Sequence, residues 1–152
     1  MDKVFLFNAN PRFRVQKTRL ERMASRLLSR EGKGAGRVEV ILSDNRLLRR
    51  LNRRFRGKDR PTDVLSFNFN DPGFLGEIYI SLDRVRIQAR RYGCPFNEEF
   101  QRLLIHGLFH LLGFNHGKAM RKKEEFWMRR FYPRRGINPP PGKSTSKNNT
   151  NS

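Results

Sequence analysis

All three histidines of this 152-residue chain fall between positions 106 and 116. His106 and His110 are four residues apart, so on a helix both imidazoles project from the same face. Gly113 allows the chain to turn back after the helix, which brings His116 toward the same point. Three neutral nitrogen ligands leave one coordination position open for water, as in catalytic rather than structural zinc sites. The fold must therefore gather a helix, a glycine turn and a loop around a metal, and we expect one zinc ion per chain.

The spacing of these histidines also matches the long zinc motif of the metzincin proteases, His-Glu-x-x-His-x-x-Gly-x-x-His. Gly107 occupies the position of the glutamate that activates water for peptide cleavage in that motif. A protease would need a substitute general base, and the strongly basic composition argues against a peptide substrate. A metalloprotease is therefore the weaker interpretation of the motif.

The chain carries a net formal charge of +19, from 33 Lys and Arg residues against 14 Asp and Glu. Such an excess favours a polyanionic partner, with nucleic acid first and an anionic membrane second. The sequence offers no basic amphipathic helix with an exposed aromatic face. No apolar run approaches the roughly 18–20 residues of a membrane span. The charge thus predicts a protein that binds nucleic acid and does not enter a membrane.

Cysteine usage and the N-terminal residues bear on the compartment. The single cysteine, Cys94, cannot form a disulfide within the chain, and nothing in the sequence indicates an oxidising compartment. The apolar stretch Val4–Phe7 is too short for a secretory signal peptide. We expect a cytoplasmic monomer.

Hydrophobic periodicity predicts strands that alternate with helices, followed by helices alone. The predicted strands are 4–7, 38–42, 64–69 and 75–81, and the predicted helices span about 11–30, 45–55, 83–92, 97–112 and 118–131. The predicted N-caps are Ser43 or Asp44, Asp83 and Asn97. One face of the second helix is formed by Leu47, Leu48, Leu51 and Phe55. The pattern predicts an α+β fold, a small mixed sheet with helices packed on it.

The composition changes from Pro133 onward, where Pro, Ser, Thr, Asn and Lys predominate. Such a segment cannot build a core. Residues 1–133 are therefore predicted to form a single domain, and 134–152 a disordered basic tail. The positive charge belongs mainly to the domain, because the tail contains only four basic residues.

Eight basic residues and a single acid, Asp59, lie between positions 46 and 60. These basic residues are Arg46, Arg49, Arg50, Arg53, Arg54, Arg56, Lys58 and Arg60. Most of them belong to the solvated face of the second helix, where they can hold phosphates without reading sequence. Arg56 differs, because it follows Phe55 where the helix should end and leads into a polar loop. We expect RNA contacts from Arg49, Arg50, Arg53 and Lys58.

Three sequence blocks resemble the YbeY family of bacterial and organellar endoribonucleases and rRNA maturation factors. They are NRRFRGKDRPTDVLSF at 52–67, LGEIYIS at 75–81 and the histidine motif at 106–116. The resemblance covers roughly residues 38–117 and implies a zincin-like fold with a four-stranded mixed sheet. It also implies a metal-dependent endoribonuclease specific for single-stranded RNA, which acts in 16S rRNA 3′-end maturation and ribosome quality control. The implied partners are rRNA, the small ribosomal subunit and ribosome-associated proteins.

The resemblance also implies roles for individual residues. His106, His110 and His116 correspond to the metal ligands, Arg56 corresponds to the functional arginine, and the loop at Thr62 and Asp63 lies beside the site. Two positions depart from the family pattern. They are Asn115, where the family usually has Asp, and Asn68, where it has Pro. An alternative function stays open, namely a non-catalytic, rRNA-binding ribosome-assembly factor whose metal only orders the fold.

Overall fold

The computed structural model describes residues 2–133, so the predicted tail at 134–152 lies outside the described residues. Within that range the strands are β1 (Lys3–Asn8), β2 (Arg37–Ser43), β3 (Val64–Asp71) and β4 (Phe74–Ser81). The helices are α1 (Lys17–Gly32), α2 (Asn45–Arg56), α3 (Leu82–Tyr92), α4 (Phe96–Leu111) and α5 (Lys118–Phe131). The predicted α+β fold is confirmed, and the last helix has the predicted bounds. No helix among the described residues has the length and apolar character to cross a bilayer.

The four strands form one mixed sheet in the order β1-β2-β4-β3. β1, β2 and β4 run parallel, and β3 pairs antiparallel with β4. The β3–β4 connection is the predicted tight turn at Pro72 and Gly73. Because β3 is an edge strand, one side of its backbone is open to groups from outside the sheet.

The main core lies between the sheet and helices α1, α4 and α5. Its largest buried side chains include Phe100 and Phe109 of α4 and Trp127 of α5. The indole N–H of Trp127 donates to Glu31 at 2.8 Å, which ties α5 to the end of α1. On the opposite face of the sheet, α2 packs near β3 and β4. Helix α4 packs against α3, α5 and the strands β3 and β4, which fixes the helix that carries two of the histidines.

The first helix begins at Lys17, six residues later than the predicted start at Pro11. The carbonyl of Asn10 accepts a hydrogen bond from the N–H of Phe13 at 3.1 Å and closes a turn. Phe13 then stacks on Phe96 of α4, with ring centroids 5.4 Å apart. The turn and this long-range stacking contact hold the segment away from helical geometry.

One predicted N-cap is confirmed and another is wrong. The side chain of Asp44 accepts from the first turn of α2, as predicted. Ser81, and not Asp83, caps α3. Asp83 pairs instead with Arg12 at 2.6 Å, a contact between distant segments that a local capping rule does not include.

A further expectation about a helix is wrong. Asn97 does not cap α4, because the helix begins at Phe96 and Asn97 lies within its first turn. Phe55, on the predicted apolar face of α2, is 52% exposed. Leu48 of the same helix is fully buried. The apolar face of α2 is therefore covered in its first half and open at its end.

Candidate active site

The three histidines lie together at the C-terminal end of α4. Gly113, with a φ of 93°, turns the chain after the helix so that His116 returns to His106 and His110. Nitrogen atoms of the three rings all lie within 4.8 Å of one another. Nε2 of His106 is 3.1 Å from Nε2 of His110. The structure thus brings together the three residues predicted to bind the metal, which form the histidine cluster.

The donor atoms of the histidine cluster suit a metal ion. Burial, followed by the neighbouring His106 and His116, lowers the pKa of His110 to about 4. Its imidazole is therefore neutral at pH 7 and keeps the lone pair that a ligand needs. Tetrahedral Zn–N bonds of about 2.0–2.1 Å would separate two ligand atoms by roughly 3.4 Å. The observed 3.1 Å between the first two histidines is close to this value. The third ligand atom lies within 4.8 Å of the others, so a modest shift of the exposed His116 would complete three nitrogen ligands with an open position.

A carboxylate that the sequence analysis missed holds one of these rings. Nδ1 of His106 lies 2.5 Å from Oε2 of Glu124 in α5. An ionised carboxylate only accepts, so the proton of His106 belongs on Nδ1, and Nε2 presents its lone pair toward His110. Both side chains are 22% exposed, which partly shields the pair from water. A carboxylate in this position orients a histidine ligand and increases its basicity.

Gly107, at the position of the metzincin glutamate, faces the sheet. An added Cβ there would lie 2.9 Å from Cγ2 of Ile78 in β4. The hydroxyl of Ser66 in β3 donates to the Gly107 carbonyl at 3.2 Å. The small residue thus lets the histidine-bearing helix approach the sheet closely, and a glutamate would fit only if Ile78 moved.

Arg56, the last residue of α2, reaches across the edge strand β3. Its Nη2 donates to the carbonyl of Ser66 at 3.2 Å, and its guanidinium lies 5.0 Å from the ring centroid of Phe67. These contacts place Arg56 beside a cleft of about 250 Å³ that His110 and Asn115 also line. A cation held by protein contacts and a member of the histidine cluster therefore border the same small space.

The two departures from the family pattern both line this cleft. The side-chain amide of Asn68 donates to the carbonyl of Leu111 at 2.8 Å. This hydrogen bond ties β3 to the end of α4, and a proline could not donate it. Asn115 is exposed beside the histidine cluster, whereas the carboxylate that contacts the cluster comes from Glu124.

The four residues predicted to bind RNA have different surroundings. Arg49 donates to both carboxylate oxygens of Asp59, at 2.8 and 3.3 Å. This hydrogen bonding lowers the pKa of Asp59. Arg53 lies 3.8 Å from the same carboxylate, and Arg50 and Lys58 are exposed. The surface is strongly basic, but Asp59 already compensates part of the charge of Arg49.

Thr62 and Asp63 belong to the polar loop that follows α2. Among the described residues, neither of the two lines this cleft. The Asp63 carboxylate instead accepts from the N–H of Val64 at 2.8 Å. The loop therefore supports the start of β3.

These features define a basic α+β protein with three histidines positioned to bind a metal ion beside a cleft that Arg56 lines. The model of the family described as Endoribonuclease YbeY matches residues 6–132. This range includes the histidine cluster, Glu124 and Arg56. The chain belongs to this family, so the resemblance found in the sequence is confirmed.

Individual relatives support the same assignment. The Endoribonuclease YbeY of Aquifex aeolicus is 38% identical over 117 residues, which are 74% of this chain and 78% of that protein. The one from Thermus thermophilus is 44% identical over 115 residues, 72% of this chain and 79% of that protein. The solution structure of TM1509 from Thermotoga maritima matches with a TM-score of 0.60 and 28% identity, over 85% of this chain and 89% of that chain. The sequence relatives therefore carry the name of the matching family, and the solved structure shares the fold of this chain.

Proposed function

We propose that this protein is a zinc-dependent endoribonuclease that cuts single-stranded RNA in 16S rRNA 3′-end maturation and ribosome quality control. The main support is the shared cleft, because Arg56 and His110 line the same space of about 250 Å³. The matching family is named for endoribonuclease activity. A cytoplasmic monomer that binds the small ribosomal subunit and ribosome-associated proteins is part of the same proposal.

Arg56 supplies positive charge to the reacting phosphate. Its planar guanidinium offers parallel N–H donors that match two oxygens of one phosphodiester. Contacts with Ser66 and Phe67 hold the side chain beside the cleft. It therefore needs little reorganisation when negative charge builds on the non-bridging oxygens. In this proposal Arg56 is the catalytic residue that stabilises that charge.

The histidine cluster holds the zinc ion, one per chain. His106, His110 and His116 donate the three nitrogen atoms, and Glu124 keeps the ring of His106 oriented. A metal ion bound there supplies a Lewis acid beside the phosphodiester and makes water more acidic. A structural zinc site normally has four protein ligands, so three favour a catalytic site.

The exposed basic residues of α2 and the following loop hold the phosphates on either side of the cleft. Arg50, Arg53 and Lys58 are solvent-accessible, and such phosphate contacts position a strand without reading its sequence. Arg49 contributes less, because it must first leave Asp59. This surface supports binding of RNA in general rather than selection of one cleavage sequence.

Incubating the metal-loaded protein with structured rRNA and, separately, with casein tests the proposed function. We expect cleavage of the RNA at single-stranded positions and no cleavage of casein. An Arg56→Ala variant purified in parallel controls for contaminating nuclease, which would cleave RNA in both preparations. Tight rRNA binding without cleavage would instead support the assembly factor with a structural metal.

A further inference from the structure

We propose that Phe55 and Phe67 form a stacking platform for one nucleobase of single-stranded RNA beside the cleft. The inference rests on the proposed function and adds a binding subsite to it. Arg56 takes a phosphate, and the neighbouring aromatic platform takes the flat face of a base. The two groups together bind a nucleotide at two chemically different points.

Phe55 is the most exposed of the large apolar side chains within residues 2–133. It is 52% exposed, and the next is Phe7 with 46%. Phe67 lies on β3, the outer strand of the sheet. Its ring packs against the Phe55 ring in a T-shaped arrangement, with centroids 5.4 Å apart and planes at 69°. Aromatic surface in contact with water is available for burial by a ligand.

Phe67 connects the exposed ring of Phe55 to the cleft. It contacts Phe55 on one side, and the guanidinium of Arg56 lies 5.0 Å from its ring centroid. Behind it, the ring of Tyr79 lies at 5.8 Å, and the Tyr79 hydroxyl donates to Glu77 at 2.9 Å. The platform is thus supported from the sheet. The Phe67 ring therefore contacts both the exposed ring of Phe55 and the guanidinium that lines the cleft.

The planar guanidinium of Arg54 lies near the platform, 5.4 Å from the centroid of the Phe55 ring. A nucleobase is also planar and can take this place, because the Arg54 side chain is exposed and able to move. The displaced cation then lies near the phosphate next to the bound base, so that stacking and charge act on one strand.

The chemistry of the platform selects single strands over duplexes, and the RNA preference comes from the proposed function. Every base has a π face, so stacking tolerates any sequence. In a duplex the bases are stacked on one another, and only unpaired bases can be splayed onto an aromatic side chain. Phosphate contacts alone cannot discriminate in this way, since both kinds of strand carry phosphates. The arginines around Phe55 favour a polyanion over an apolar protein surface.

Binding of short 2′-O-methyl oligoadenylate tests the platform separately from catalysis. The comparison ligand has the same length and phosphates but abasic sugars. Phe55→Ala should weaken binding of the oligoadenylate about tenfold and leave binding of the abasic strand unchanged. Phe55→Trp, which keeps an aromatic ring, should bind the oligoadenylate like the wild type. Phe7→Ala removes a similarly exposed ring from β1, at the opposite edge of the sheet, and should change neither affinity.

The outcomes separate this inference from the proposed function. Equal losses on both strands, or no loss on either, would overturn the platform even if the wild type cleaves rRNA. A base-dependent loss with no RNA cleavage by the wild type would support the platform and contradict the nuclease. Phe55→Leu, which keeps apolar volume without a π face, should lose affinity like Phe55→Ala. If it binds like the wild type, the ring acts by packing and the inference is wrong.

Discussion

The histidine cluster and the α2–β3 edge, meaning residues 49–60 with Phe67, each contribute one residue to the cleft, His110 and Arg56, but they are built differently. In the cluster, His106 and His110 are partly buried, and Glu124 fixes one ring through a single short contact. At the edge the basic side chains are mostly exposed, and only Arg56 is held by contacts beside the cleft. In our proposal the fixed cluster serves the chemistry, whereas several exposed charges share the binding of a strand. Arg56 lies at the edge in sequence, and we propose that it acts in the chemistry.

Removal of one cluster ligand should have the largest effect. His110→Ala leaves two nitrogen ligands, so elemental analysis of chelator-free protein should fall from about one equivalent of metal to near zero. RNA cleavage should disappear with the metal. Circular dichroism should verify that the variant is folded. Full retention of metal would show that the metal binds elsewhere, and it would contradict the contrast drawn between the histidine cluster and the α2–β3 edge.

Loss of the Glu124 carboxylate, which contacts His106, should have a smaller effect on metal binding. Glu124→Gln keeps an acceptor oxygen but removes the charge, so metal affinity should fall by about 10–100-fold. Glu125→Gln is a matched control, because that residue is exposed on the same turn of α5. A competition titration with a chelator measures both. Equal affinities for the two variants would contradict an orienting role for Glu124.

Single charges at the α2–β3 edge should have the smallest effects. Arg50→Ala should weaken RNA binding modestly and lower the slope of log K against log salt by about one, with near-normal turnover at saturating RNA. Arg49→Ala should change less, because Arg49 is already paired with Asp59. An exposed ion pair contributes only about 0–1 kcal/mol, so the difference should be small. Filter binding at several salt concentrations should show this order, and a larger loss for Arg49→Ala would reverse our ranking.

Local sequence patterns predicted much of the fold and the clustering of the three histidines. Helix α5, the β3–β4 turn and the Asp44 cap follow from residue type and periodicity alone. Helix spacing with a glycine bend also brought His116 to its partners. These features are local, because each depends on residues within about three helical turns.

Long-range contacts explain what the sequence did not predict. Glu124 lies 18 residues after His106, and only the packing of α5 on α4 brings the two together. Asp83 is a plausible cap by local rules, yet it pairs with Arg12 across 71 residues. Phe55 has the spacing of a buried residue, but the sheet ends at β3 and leaves it exposed. In each case tertiary structure decides which partner the side chain meets, or whether the side chain is exposed.

Single-turnover cleavage by Arg56→Ala at saturating enzyme tests the central claim most directly. Loss of one charged contact in the transition state should slow cleavage about a hundredfold, or ~3 kcal/mol. Arg56→Lys should recover part of the rate, because it keeps the charge but loses the two-pronged geometry. The affinity for the same RNA, measured by filter binding, should change little. The slope of log K against log salt should be lower by about one. A strong loss of affinity with an intact single-turnover rate would show that Arg56 only binds RNA, and would contradict the account.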